Sequence, residues 1–422
     1  MKTTYDHHKV HPEARIDGLE RAKSLDNWRP SRFLQPGESP SALLFEGGGT
    51  KGNAYVGVIQ VLEEHGLLKG IKRFAGTSAG SQTAAILAVG LTSKEIEENF
   101  AKAEVSHNLL DMDLFPCYPG KQSLVSCCWK GVGNANDCCN TPAQCCCGPC
   151  NICCHWAAFK GAYLEWSLDE MFAEKMRALE REGKVPPRKQ KANSSWRKLT
   201  LQELYDYRQV EFKAGVVELN SGEFKLLSHE DYPHMPVSLA ARASSTLPSV
   251  FRPVHYKRTV NGTAIKELFV DGALAGNLPI TAFKALDEKQ PVLGFNLFGK
   301  SEYADTRKAP IATFGAYLGA LMNAMMENAN AAHGQGAMRY AISEGGNKID
   351  LVHIDVGDAL LLNIGMTDAQ RAEMANRGRE AAEWYLSEFT GPGGEPTSEK
   401  SITVQPSSSS SSNTEHQAAA TR

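Results

Sequence analysis

The sequence predicts an α/β fold with a mainly parallel central sheet, and two observations carry that prediction. Within residues 42–89, short apolar runs alternate with runs of helical spacing, giving strand, helix, strand, helix. Such a rhythm is the signature of parallel strands joined by crossover helices. Each of the two strands also ends in a glycine cluster, Gly47–Gly52 (GGGTKG) and Gly76–Gly80 (GTSAG). Clusters of this kind let a strand turn sharply into a helix.

Residues 1–40 are polar and broken by Pro12, Pro30 and Pro36, so they read as a lead-in segment. Ala42–Glu46 is a short buried strand. Gly52–His65 follows as a helix, with Val56, Ile59, Val61 and Leu62 at helical spacing. Lys72–Ala75 is the second strand, and Gln82–Val89 is a helix of small residues. Thr92–Ala103 is helical, with Thr92 or Ser93 as cap and acids in the first turn. Ser167–Glu182 is another helix. Gln209–Val217 and Glu223–Leu227 read as strands joined by a turn at Asn220–Gly222. Glu267–Val270 and Ile349–Ile354 are later strands, and Ala369–Phe389 is a long helix. The end is Gly/Pro-rich and then holds six serines, Ser407–Ser412, which reads as a disordered tail. The division is therefore a lead-in at 1–40, one α/β domain at 41–390 and a tail at 391–422.

The totals exclude some classes. The chain has 422 residues, 42% hydrophobic and 22% charged, an ordinary globular mixture. A formal net charge of -3 gives no basis for nucleic-acid binding. The N-terminus has no apolar core of a signal peptide, so a reducing, cytoplasmic setting is the expectation. Ala309–Met326 is uncharged over 18 residues, the lower edge of a membrane span. Its Pro310, Thr313 and Asn323 favour a buried or amphipathic helix instead. Lys175–Lys198 holds nine Lys/Arg against two Glu. That run is either a solvated basic loop or a contact for anionic lipid head groups.

The chemistry starts at Ser78. Gly76-Thr77-Ser78-Ala79-Gly80 is a G-x-S-x-G turn between a strand and a helix, the context in which a serine hydroxyl is raised above a sheet. A serine needs a base to take its proton and donors for the oxyanion. Gly47–Gly49 lie one βα unit upstream, so their amides reach the same sheet edge. Asp271 ends a short apolar strand before Gly272 and Ala273. Burial beside Val270 and Leu274 would raise its pKa and make it a better proton acceptor. Taken alone, an Asp-Gly pair is more often a turn. A nucleotide loop is disfavoured, because Lys51 precedes Gly52 where G-x-x-x-x-G-K-[ST] needs the reverse order.

Together these pieces resemble the patatin-like phospholipases. The glycine loop Gly47-Gly48-Gly49-Thr50-Lys51-Gly52, the elbow at Ser78 and Asp271-Gly272-Ala273 stand in the family's order. The block ARASSTLPSVFRPV at Ala241–Val254, and Asn277 and Pro279 after the Asp, match as well. The resemblance implies a three-layer α/β/α sandwich. It makes Ser78 the nucleophile and Asp271 the base of a dyad without histidine. Gly48 and Gly49, helped by Gly47 and the amide of Ala79, become the oxyanion hole. It further implies a phospholipase A-type hydrolysis of membrane glycerolipid esters, with no cofactor, no metal and peripheral membrane contact. It names no protein activator. Glu46 and Lys51 replace the family's frequent Asp and Arg, both like-charge changes. An α/β-hydrolase triad is the rival, with His333, His353 or His416 as the histidine.

All 11 cysteines fall within Cys117–Cys154, inside an insert at 117–156 foreign to that pattern. Cys147, Cys150 and Cys153 have metal-ligand spacing, with His155 close. The adjacent pairs beside Trp129, Trp156 and Phe159 also suit S-acylation, and disulfides are a third reading. The alternative function follows from here: a weak or inert core whose insert binds metal or membrane.

Overall fold

The computed structural model describes residues 34, 38–102, 157–189, 196–260, 262–283, 292–298, 321, 324–325, 349–357, 359 and 366–387. The elements begin with β1 (Ala42–Phe45), α1 (Ala54–Glu64), β2 (Arg73–Thr77), α2 (Ala79–Val89) and α3 (Ser93–Lys102). After the insert come β3 (Ala157–Phe159), α4 (Ala162–Arg181), α5 (Leu201–Arg208), β4 (Glu211–Glu218) and β5 (Glu223–Leu227). Then follow α6 (Val237–Ser244), β6 (Ser249–Phe251), β7 (Val254–Val260) and β8 (Thr263–Asp271). The described chain closes with β9 (Val292–Phe298), β10 (Ile349–Asp355) and α7 (Asp368–Ser387).

The central sheet runs β10-β9-β1-β2-β4-β8-β7, with β5 also paired to β4. The five strands from β10 to β4 are mutually parallel. β5, β8 and β7 join in antiparallel pairs. β1 sits between two parallel neighbours, and all four of its residues are buried. That explains why it reads as an unbroken apolar run with no alternation. Leu43, Phe45, Phe74, Phe212, Leu293 and Phe295 share the face that builds the main core with the helices. The opposite face carries a smaller cluster of Ala42, Leu44, Ala75 and Val292, covered among the described residues by Ala282 and Phe283.

Several elements exceed the sequence reading. α5 starts on a capping box, in which the Thr200 side chain accepts from the Glu203 amide and Glu203 reaches back to the Thr200 amide. α6, β7 and β9 were not read from the sequence, and β8 begins four residues earlier than expected. The basic run from Lys175 divides between the end of α4 and the segment leading to α5. Five of its nine cations already face carboxylates: Lys175 with Glu95, Arg177 with Glu170, Lys184 with Glu182, Arg188 with Glu203 and Arg197 with Asp169. The lipid-contact reading of that run therefore has few open charges behind it. No helix of the described residues is long and apolar enough to cross a membrane. The stretch 309–326 lies almost wholly outside them, as do the lead-in, the tail and every cysteine.

α7 packs back on α1 through a pair of glycines. A Cβ on Gly57 would collide with the Ala375 carbonyl, and one on Gly378 with the Ala54 carbonyl. α7 is also tied to β10, because the Tyr385 hydroxyl donates to Asp350 Oδ2 at 2.7 Å. The crossing seats α1, and α1 follows directly from the glycine loop. Gly57→Ala or Gly378→Ala should therefore lower stability by about 1–3 kcal/mol through overpacking, read as a lower denaturation midpoint at unchanged slope.

Candidate active site

The site lies at the carboxyl ends of β1 and β2. β2 ends at Thr77, and the next residue, Ser78, has φ 54° and ψ -127° before α2 begins at Ala79. A left-handed φ on a residue other than glycine costs on the order of 1–3 kcal/mol and persists only where the surroundings hold it. The motif glycines make the turn sterically open. A Cβ on Gly76 would strike the Gly80 carbonyl, and one on Gly80 would strike the Phe45 and Glu46 carbonyls. The Ser78 amide donates to Ser244 Oγ at 2.9 Å, and Ser244 Oγ donates to the Gly215 carbonyl at 2.5 Å. The Ser78 carbonyl accepts from Ser81 Oγ at 2.7 Å. Ser244 of α6 thus holds the amide of the strained residue, and Ser81 of α2 holds its carbonyl.

Asp271 arrives on β8, which runs antiparallel to β4 with Val216 opposite Asp271. Since Thr77 pairs with Gly215, the register sets the carboxyl beside the elbow. Ser78 Oγ donates to Asp271 Oδ2 at 2.7 Å, and the Ala273 amide donates to Asp271 Oδ1 at 2.9 Å. Asp271 is 1% exposed. Burial pushes its pKa up to about 7, against the opposing pull of the hydrogen bonds from Ser78 and Ala273. No imidazole intervenes between the two. His353 lies on β10, bonded through Nδ1 to Asn296 Oδ1 at 3.0 Å, and burial lowers its pKa. His333 and His416 are outside the described residues.

The glycine loop is fixed from below. Glu46 is buried, and its carboxyl accepts from Asn277 Nδ2 (3.0 Å), Asn296 Nδ2 (2.6 Å) and the Leu297 amide (2.6 Å). The Tyr55 hydroxyl donates to the Glu46 carbonyl at 2.6 Å. Glu46 therefore does more than preserve a charge: it ties the loop to β9 and to the segment after Asp271. Asn277 completes the tie, since its Nδ2 donates to the Gly47 carbonyl and its own carbonyl accepts from the Gly47 amide at 3.1 Å. Thr77 Oγ1 donates to the Gly276 carbonyl at 3.0 Å, linking the elbow to the same segment.

This changes one expectation. The Gly47 amide was expected to help in the oxyanion hole, but it is engaged by Asn277. The Gly48, Gly49 and Ala79 amides have no acceptor among the described residues. Gly47 has a different reason to be glycine: a Cβ there would lie 2.9 Å from Ser78 Cβ. Thr50, Lys51 and Gly52 belong to the 3-10 turn Gly49–Asn53 that carries the loop into α1. Gly52 lies against Ala79, where a Cβ would approach to 2.9 Å. A Cβ on Gly272 would strike the Gly215 carbonyl. The sequence reading missed the parts played by Ser244 and Asn296. Ser244 lies in a block already singled out, and Asn296 sits in the apolar run VLGFNLF, whose strand character was legible. Among the described residues no cluster of His, Cys, Asp and Glu could hold a metal ion. Cys147, Cys150 and Cys153 lie outside them.

A family model for patatin-like phospholipases matches residues 43–284, more than half of the chain. The chain belongs to the patatin-like phospholipase family. All three motifs fall within the matched span. The uncharacterized protein YqhO of Bacillus subtilis (strain 168) is 26% identical over 355 residues, covering 82% of this chain and 98% of YqhO. The crystal structure of VipD from Legionella pneumophila superposes with a TM-score of 0.50 at 18% identity, covering 83% of this chain and 67% of VipD. It shares the patatin-like α/β fold. ExoU of Pseudomonas aeruginosa, in complex with SpcU, matches with a TM-score of 0.43 at 18% identity, and the chain spans about half of its length.

Two outcomes follow from the site's electrostatics. Asp271 is protonated in the folded protein, and ionised in the unfolded chain, from its ordinary pKa near 4 up to about 7. Over that window the folded state binds the extra proton, so its contribution to stability falls as pH rises. Asp271→Asn should gain stability over the wild type progressively from pH 4 to about 7, reaching on the order of 2–4 kcal/mol and then levelling. Denaturant midpoints across pH check this. Glu46→Ala leaves two amide groups and a backbone N–H without their acceptor and should cost several kcal/mol, read in the same assay.

Proposed function

We propose that this protein is a serine lipid acyl hydrolase of phospholipase A type. The observation that carries the reading is the direct hydrogen bond from Ser78 Oγ to a buried Asp271. Membership of a phospholipase family supports lipid hydrolysis in general, and the dyad supplies a route. Ser78 Oγ attacks the ester carbonyl carbon as its proton passes to Asp271 Oδ2. The carbonyl oxygen becomes an oxyanion facing the open amides of Gly48, Gly49 and Ala79. The C–O bond to the glycerol breaks, and the leaving alkoxide takes the proton back from Asp271. Water then attacks the acyl-enzyme, giving its proton to Asp271; as the bond from the acyl carbon to Ser78 Oγ breaks, Oγ takes that proton back from Asp271 and the fatty acid is released. Each step returns Asp271 to its starting state, so no cofactor is required.

A pKa near 7 suits that base. It is basic enough to accept a proton in the transition state, yet ionised over half the neutral range. The open amides lie next to the start of α2, whose dipole also favours the oxyanion.

A fluorophosphonate probe should label the wild type and not Ser78→Ala. Labelling that survives the substitution removes Ser78 from the reaction. With a soluble short-chain ester, kcat/KM should rise with pH and level off above about 7, because only ionised Asp271 accepts the proton. A profile flat between pH 5 and 9 counts against Asp271 as base. Asp271→Asn should lose at least about 10³-fold in kcat, with retention of folding shown by its circular dichroism.

A further inference from the structure

The β7–β8 hairpin overhangs the site. β4 runs past the elbow, since Gly215 pairs with Thr77 and the strand continues to Glu218. β8 comes down antiparallel to it, with Phe269 opposite Glu218 and Asp271 opposite Val216. Residues of β8 before Phe269 therefore project beyond the sheet edge at which Ser78 sits. Lys266 is five residues from Asp271, or about 17 Å along the strand.

The two faces of the hairpin differ sharply. On one face Glu267 is buried under Arg258, which donates from Nε to Oε2 at 2.8 Å, with Tyr232 and Lys225 also bonded to it. Both cations on that face are paired with this one carboxylate inside the fold. On the other face Lys257 is directly opposite Lys266, and His255 is opposite Leu268. Lys257 and Lys266 are both exposed. Neither has a carboxylate partner among the described residues. Like charges directly opposed across an antiparallel pair are destabilising, so folding alone gives no reason for them. A lysine on an exposed edge strand can guard against strand pairing, and β7 is such an edge. That accounts for Lys257. At Lys266 the outer side of β8 is past its ladder with β4, which ends at Phe269, and is met instead by the Asn220 side chain, whose Nδ2 donates to the Lys266 carbonyl at 3.3 Å. Leu219, 47% exposed, stands beside them, since its amide donates to the Leu268 carbonyl. Paired cations with an adjacent exposed leucine, set beyond the reactive edge, fit an anionic lipid surface: head-group phosphates between the lysines, acyl chains against the leucine.

We infer that Lys257 and Lys266 of the β7–β8 hairpin, with Leu219, form the surface that docks this protein on anionic membranes. The inference rests on the reading that the site works at a lipid surface. The test uses the full chain carrying Ser78→Ala, so that binding is read without hydrolysis. Flotation with phosphatidylcholine vesicles, with and without phosphatidylglycerol, gives the partition. The background protein should prefer the anionic vesicles. Adding Lys257→Gln and Lys266→Gln should lower that partition about 25-fold, roughly fivefold per lysine, with the difference shrinking as salt rises. Lys69→Gln, exposed at the opposite edge of the sheet, should change nothing. With Ser78 intact, the double lysine variant should hydrolyse a soluble short-chain ester at the wild-type rate.

Flotation of the double variant at the unaltered level overturns the assignment, and so does equal partition onto neutral vesicles. Loss of binding to polyglutamate or heparin with vesicle binding intact would assign the hairpin to another polyanion. Aggregation of the double variant with unchanged flotation would assign the lysines to guarding the edge. The two readings fail separately. Vesicle binding that depends on the lysines, in a protein with no esterase activity, sinks the hydrolase alone. An active esterase indifferent to them sinks the docking surface alone.

Discussion

The site depends on keeping water from one carboxyl group. Asp271 is buried at the end of β8, and a buried carboxyl is costly unless its oxygens are bonded. Two donors answer it, the Ser78 hydroxyl on one oxygen and the Ala273 amide on the other. In the proposed reaction, the same burial that raises its pKa to about 7 would let it act as a base near neutrality. A side-chain contact of 2.7 Å across 193 residues of sequence tolerates little error, so the elements that deliver the two partners must be held in register.

That register is enforced by a small set of polar ties. Gly276 and Asn277 bond to Thr77 at the elbow, to Glu46 beneath the glycine loop and to both the amide and the carbonyl of Gly47. Two loops from distant parts of the chain are thereby locked to one dipeptide. Ser244 adds a further tie by holding the Ser78 amide. The strained backbone at Ser78 survives because these contacts over-determine it. The glycines contribute by absence: at Gly76, Gly80 and Gly272 a methyl group would meet a carbonyl of the neighbouring segment. The same device, used far from the site, lets α7 lie on α1.

Charge is treated in two ways across the molecule. In the basic run after Lys175 and on the inner face of the β7–β8 hairpin, cations are matched to carboxylates inside the fold. On the outer hairpin face Lys257 and Lys266 oppose each other without such a match among the described residues. A count of Lys and Arg along the sequence ranks the first region above the second. Only pairing in space reverses the order, because a charge already neutralised by a neighbour has little left to offer a membrane.

The sequence by itself determined the α/β rhythm from β1 to α2, the elbow, the glycine loop and the Asp-Gly-Ala turn. These are local: a run of apolar residues, a spacing, or a glycine where a backbone must pass closely is written in adjacent positions. It also located most strands and helices, while β9 and α5 carried readable signals, an apolar run and a T-x-x-E cap, that were passed over. Tertiary structure alone decided which amides of the glycine loop are bonded within the fold. Gly47 looks like its two neighbours in sequence, yet its amide is taken by Asn277, 230 residues away. Likewise Glu46 reads as a like-charge replacement and proves to be the anchor of the loop, since Asn277, Asn296 and Leu297 reach it only after β1 and β9 pair. Hydrogen bonds between distant segments depend on strand order and register, and no local pattern encodes those.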